Sequence, residues 1–174
     1  MKGTENISFI SANGFPSECY QEILEPLSTT YNITNFLLRP LKRPPQSEKD
    51  CVSWAQFTDD YLTELDTTFN TNDNVIGMGH SIGATVVLDA ALRQPERFSH
   101  LILIEPALFT IKINILYNLF RRFGLSKSFH PMITKTKNRR TQFKSKDEFR
   151  KRLRQKKSFN KISDNTLKIM SESL

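Results

Sequence analysis

A chain of 174 residues is a one-domain length, long enough to bury a real core. Hydrophobic residues at 38% and charged residues at 25% exclude a disordered chain, and no apolar run reaches the about 20 residues that span a bilayer. The net charge of +7 is unevenly laid: residues 1–110 hold 7 Lys/Arg against 14 Asp/Glu, and residues 111–174 hold 18 against 4.

The N-terminal Met-Lys-Gly-Thr-Glu-Asn lacks the apolar stretch of a secretory signal. Cys19 and Cys51 stand far apart and form no CxxC pair, so neither a metal site nor a disulfide framework is expected. A cytoplasmic protein with reduced thiols is the expectation. Ile7 to Ser11 reads as a first strand, and Asn13-Gly14-Phe15-Pro16 as the turn after it. Ser17 is the expected cap of a helix from Glu18 to Tyr31. Ile33 to Leu38 predicts a second strand, and the three prolines between Arg39 and Asp50 predict a loop. Trp54, Phe57, Tyr61, Leu65 and Phe69 recur at three- and four-residue spacing, one face of a long helix. Val75 to Gly79 is the third strand and Ile82 to Leu92 its helix. Leu101 to Ile104, four apolar residues in a row, predicts a strand buried on both faces.

Past Pro106 the strand pattern stops. Leu108 to Phe123 is apolar and helical in pattern, Lys146 to Lys156 is a basic helix, and Asp164 to Leu174 a further one. Charge and pattern change together near residue 107. The expected division is therefore a core over 1–106 and a helical, basic cap over 107–174. Alternating strands and helices predict a doubly wound, mostly parallel α/β sheet.

Val75-Ile76-Gly77-Met78-Gly79-His80-Ser81-Ile82-Gly83-Ala84 carries the chemistry: an apolar strand, a Gly-x-Ser-x-Gly turn, then a helix. That order is a nucleophile elbow, in which a strained turn lifts the Ser81 hydroxyl off the sheet edge onto a helix N-terminus. In such a site one oxyanion donor comes from the loop after the first strand and one from the residue after the nucleophile, here the amides of Phe15 and Ile82. Gly14 would allow close approach, and Pro16 would hold Phe15 extended.

These segments resemble a bacterial α/β-hydrolase subfamily. Its members have a His-Ala-Asn-Gly-Phe-Pro-like loop, a Gly-His-Ser-x-Gly-Gly elbow and a strand ending in Asp-Pro. The corresponding residues here are Ser11-Ala12-Asn13-Gly14-Phe15-Pro16, Gly79-His80-Ser81-Ile82-Gly83-Ala84 and Glu105-Pro106. Leu38-Arg39-Pro40-Leu41, Ser53-Trp54 and Asp60 also fall at the family's intervals. Ser11 stands where the family carries histidine, and Ala84 where it carries glycine. The resemblance implies a serine hydrolase acting on a small ester or related acyl substrate through an acyl-enzyme, without metal or organic cofactor.

It also implies that the triad acid and histidine follow later strands beyond the cap, so this chain is expected to be an incomplete α/β-hydrolase sheet lacking both. Of the histidines present, His100 is expected about 16 Å from the catalytic edge, five strand residues away. His80 should point into the fold, and His130 reads as a surface loop residue. Glu105, at the catalytic end of its strand, is a possible acid. The plainer expectation is a carboxylate bonded to loop amides or to Arg39. The apolar face Leu108, Ile111, Ile115, Leu116, Leu119 and Phe120 is expected to cover the nucleophile. Arg121, Arg122, Lys135, Lys137, Arg139 and Arg140 raise the question of phosphate or nucleic-acid binding, but no aromatic stacking pattern accompanies them. The alternative to catalysis is a non-catalytic or degenerate α/β-hydrolase fragment that binds through its pocket or basic cap.

Overall fold

The computed structural model describes residues 5–42, 54–70, 72–108 and 142–173, together with Arg122. Four parallel strands form one sheet in the order β2-β1-β3-β4: β1 (Asn6–Ile10), β2 (Asn32–Phe36), β3 (Val75–His80) and β4 (Phe98–Ile104). The helices are α1 (Gln21–Leu27), α2 (Trp54–Thr68), α3 (Ile82–Arg93), α4 (Lys146–Arg154) and α5 (Asp164–Ser173). Chain order reverses direction between β1 and β3, which makes their carboxyl ends the topological switch point.

Apolar residues line both faces of the central strands, as a sheet covered on two sides requires. On one face Ile10, Val75, Phe57, Tyr61, Leu65, Val86 and Val87 pack beneath α2 and α3. On the other, Ile7, Phe9, Ile76 and Met78 pack with Leu24 of α1. A polar pair is sealed in this core, the Ser8 and Tyr61 hydroxyls 2.5 Å apart.

Three expectations change. The helix after the first turn begins as a 3₁₀ turn over Ser17–Tyr20 and becomes α-helical only from Gln21 to Leu27. Pro26 in its last turn has no N–H to continue the ladder, and the Ser28 amide closes on the Leu24 carbonyl at 3.0 Å. Ser17 is not a cap, since Pro16 holds the N-cap position and no side chain bonds there. The fourth strand starts at Phe98 and is not buried on both faces, with Leu101 39% and Ile102 41% exposed. β4 is an edge strand among the described residues, as is β2 on the other side. The apolar stretch to Phe123 lies outside the described residues beyond Leu108, as do Cys51, Ser53, His130 and the basic residues 121, 135, 137, 139 and 140.

The C-terminal helices are described, and they join the body of the fold. Phe149 and Leu153 of α4, Leu167 and Met170 of α5, and Phe159 and Ile162 between them form a small cluster that includes Phe15 and Cys19. The Ser163 hydroxyl donates to Glu22 of α1 at 2.5 Å. Among the described residues no helix is long and apolar enough to cross a membrane.

Candidate functional site

Glycine in β3 and at the start of α3 lets helix and sheet meet backbone to backbone. A methyl group on Gly79 would stand 2.6 Å from the Ala84 nitrogen and 2.6 Å from the Gly83 carbonyl carbon. One on Gly83 would collide with the Ile10 carbonyl oxygen and lie 2.7 Å from that of Ser11. These contacts pull the strand-to-helix turn tight, and Ser81 at its apex takes φ 55° and ψ −119°. A serine held there stores on the order of 1–3 kcal/mol of backbone strain, so its surroundings must over-determine it. They do. The Ser81 amide donates to the Ile104 carbonyl at 2.9 Å, and its carbonyl accepts from the Thr85 amide at 3.1 Å and the Ala107 amide at 3.3 Å. The Thr85 hydroxyl lies 3.3 Å from that carbonyl and 3.1 Å from the Ala107 carbonyl.

Ile82 opens α3, so its amide has no acceptor within the helix and sits at the positive end of the helix dipole. Phe15 is carried on the neighbouring strand end, β1 being hydrogen-bonded to β3 as far as the Ile10–Gly79 pair. Gly14 has φ 79°, the left-handed value a type II turn needs at its third residue. Among the described residues nothing lies within 4 Å of where its Cβ would stand, so within the protein the missing side chain serves that angle. The turn closes with the Phe15 amide donating to the Ala12 carbonyl at 3.1 Å. The Phe15 ring is anchored in the C-terminal cluster, stacked at 6.2 Å on Phe159.

Glu105 follows β4 with φ 44° and an exposed side chain. It does not bond Arg39, which grips Asp60 through both Nε and Nη2. Arg39 follows β2 at the far side of the sheet from β4, three strand spacings or about 14 Å away. Among the described residues no side chain or loop amide bonds the Glu105 carboxylate. Ser81, Ile82, Phe15 and Glu105 thus all stand at the carboxyl ends of adjacent strands, beside the switch point.

The histidines fall elsewhere. The His80 ring turns into the fold, its Nδ1 2.7 Å from the Tyr20 hydroxyl. His100 lies within β4, opposite Ile76 and four residues before the strand's end. Cys19 is no rival nucleophile, since burial and then Glu18 push its thiol up to about 11. Sequence reasoning missed Tyr20, whose hydroxyl also accepts from the Ala12 amide at 3.1 Å. Burial raises that hydroxyl above its ordinary 10.0, so it stays protonated at neutral pH. Among the described residues no group of three or more His, Cys, Asp or Glu is placed to hold a metal ion.

The family described as serine aminopeptidase, S33, matches residues 45–174. No curated protein sequence matches the chain. Among solved structures, the thioesterase domain from the curacin biosynthetic pathway aligns with a TM-score of 0.70 at 18% identity, covering 98% of this chain and 59% of that one. A carboxylesterase from the ammonia-oxidizing thaumarchaeon Nitrososphaera gargenis aligns at 0.60 with 15% identity, covering 98% and 58%. A peroxisomal α/β-hydrolase from Saccharomyces cerevisiae aligns at 0.58 with 21% identity, covering 96% and 49%. At these identities the likeness is one of fold, and the sheet with its flanking helices is that of the α/β-hydrolases. The chain spans 59% or less of the length of each of these proteins.

Proposed function

The chain belongs to the serine aminopeptidase S33 family of hydrolases, and on that premise we propose that Ser81 is the nucleophile of a hydrolase acting on an ester or related acyl compound. The observation that carries this reading is the backbone of Ser81, φ 55° and ψ −119°, between β3 and the N-terminus of α3. A strained serine held by three neighbours through four hydrogen bonds at a switch point is a costly arrangement with no packing purpose of its own.

In the proposed reaction the Ser81 hydroxyl gives its proton to a base and adds to the substrate carbonyl carbon, and the carbonyl electron pair moves onto oxygen. The amides of Ile82 and Phe15 receive that oxyanion. The Phe15 amide then shares its hydrogen between the Ala12 carbonyl and the oxyanion, the charged acceptor being the stronger of the two. Collapse expels the alcohol or thiol with the proton returned by the base, and water repeats the steps to free the acid. The base is assigned outside the described residues, because His80 faces Tyr20 and His100 lies well down β4. Glu105 follows the Ile104 carbonyl that holds the Ser81 amide, and a role as acid would need a histidine to orient.

Turnover of p-nitrophenyl acetate by the protein in a form that carries the base, and by the Ser81→Ala variant of that form, tests the reading. A loss of about a thousandfold or more is expected. Equal rates would refute it. The second reading, binding without turnover, draws on the absence of a histidine facing Ser81 among the described residues. It predicts no turnover in either protein and ligand affinity indifferent to Ser81→Ala.

A further inference from the structure

The β1–β3 ladder ends at the Ile10–Gly79 pair, and both functional segments lie beyond it. Ala12 opens the turn that carries Phe15, and His80 immediately precedes Ser81. Among the described residues no strand hydrogen bond past the ladder fixes the gap between loop and elbow, and the Tyr20 side chain spans it. The Tyr20 hydroxyl accepts from the Ala12 amide at 3.1 Å and lies 2.7 Å from His80 Nδ1. The Ala12 amide can only donate, which leaves the phenolic proton free to bond Nδ1.

The ring that carries this hydroxyl is itself fixed. It meets Phe9 edge-on at 5.0 Å and His80 edge-on at 5.7 Å, and it closes the 3₁₀ turn Ser17–Tyr20 against which α5 packs. Packing alone would ask for phenylalanine. A hydroxyl that satisfies one group on the loop and one on the elbow does something packing does not.

We propose that Tyr20 is a positioning residue: through Ala12 and His80 its hydroxyl sets the distance between the Phe15 amide and the Ser81 nucleophile. The proposal rests on the reading of Ser81 and Phe15 given above. Tyr20 touches no reacting atom and acts only through its two partners. A displacement of about 1 Å between nucleophile and oxyanion donor is enough to cost up to about a hundredfold in rate.

The test follows the rate at which a fluorophosphonate probe labels Ser81, located by peptide mass spectrometry, together with kcat and KM for a p-nitrophenyl ester. Tyr20→Phe keeps the ring and its packing and removes the bridge. Labelling and kcat are expected to fall about 10- to 100-fold with KM little changed, and the Ala12 amide to exchange its hydrogen at least tenfold faster. His80→Asn puts a carbonyl oxygen near the place of Nδ1 and should retain most of the rate, whereas His80→Leu should behave like Tyr20→Phe. This rescue separates positioning from a general loss of stability. Wild-type labelling in Tyr20→Phe, or His80→Asn no better than His80→Leu, would overturn the proposal. A wild-type protein whose Ser81 takes no probe overturns the nucleophile reading instead, and this proposal with it.

Discussion

Placing a methyl group on Gly79 tests whether helix α3 is seated on the sheet as closely as the elbow requires. The new carbon would stand 2.6 Å from the Ala84 nitrogen, 2.6 Å from the Gly83 carbonyl carbon and 2.7 Å from the Ala84 Cα, all of them backbone atoms. Ordinary contact begins at about 3.5 Å, so α3 would have to lift by about 0.9 Å. No rotamer change relieves this, and the cost is expected at or above the upper end of the about 1–3 kcal/mol that overpacking usually exacts. Gly77→Ala supplies the control. Its methyl would meet Val87 Cγ1 at 2.7 Å and Phe98 Cδ1 at 2.9 Å, side-chain atoms where Gly79→Ala meets backbone, and a smaller cost within the same range is expected. Gly14→Ala meets no described atom within 4 Å, so its φ of 79° is the expected cost, about 1 kcal/mol. Urea midpoints at unchanged m should therefore fall in the order Gly79→Ala, Gly77→Ala, Gly14→Ala, the first losing most. A Gly79→Ala protein as stable as Gly77→Ala would refute the close seating, and with it the strain argued for Ser81.

Ser81→Gly should be more stable than Ser81→Ala by about 1 kcal/mol, because glycine alone relaxes at φ 55° and gives back part of that in chain entropy; thermal unfolding of the two variants decides it. Tyr61→Phe should cost about 1–3 kcal/mol by leaving the Ser8 hydroxyl buried and unpaired, and Ser8→Ala a similar amount. The double variant should then lose less than the sum, and a strictly additive urea-denaturation cycle would contradict the pairing. Hydrogen bonds from Ser163, Thr166 and Asn165 hold the Glu22 carboxyl below its ordinary 4.5. Its contribution is therefore present above pH 4.5 and lost as pH falls through the lowered value, which Ser163→Ala should narrow in a stability-versus-pH comparison.

The elbow was legible because its signal is local: two glycines, a serine and a third glycine at fixed spacing between an apolar strand and an amphipathic helix. The order of elements along 6–104 was legible for the same reason, each carrying its own periodicity. What could not be read was set by neighbours. Leu101 to Ile104 has the composition of a fully buried strand, yet exposure at Leu101 and Ile102 follows from β4 lying at the edge of the described sheet. Arg97, just ahead of β4, is buried, donating to the Asn70 carbonyl at 2.7 Å and reaching the Leu65 carbonyl at 3.3 Å, partners 27 and 32 residues away in the chain. Tyr20 and His80 stand 60 residues apart, and only the fold puts the one hydroxyl between Ala12 and the elbow. Glu105 was expected against loop amides or Arg39. Arg39 is taken by Asp60 on the opposite side of the sheet, a pairing that no spacing rule reveals.

The central claim is that Ser81 is the nucleophile, and the most direct measurement is the site of covalent labelling by a fluorophosphonate probe. The account predicts a single modified peptide carrying Ser81, lost in Ser81→Ala and suppressed when a p-nitrophenyl ester competes. Labelling that persists in Ser81→Ala, or a protein that turns over the ester with Ser81 unmodified, would contradict it.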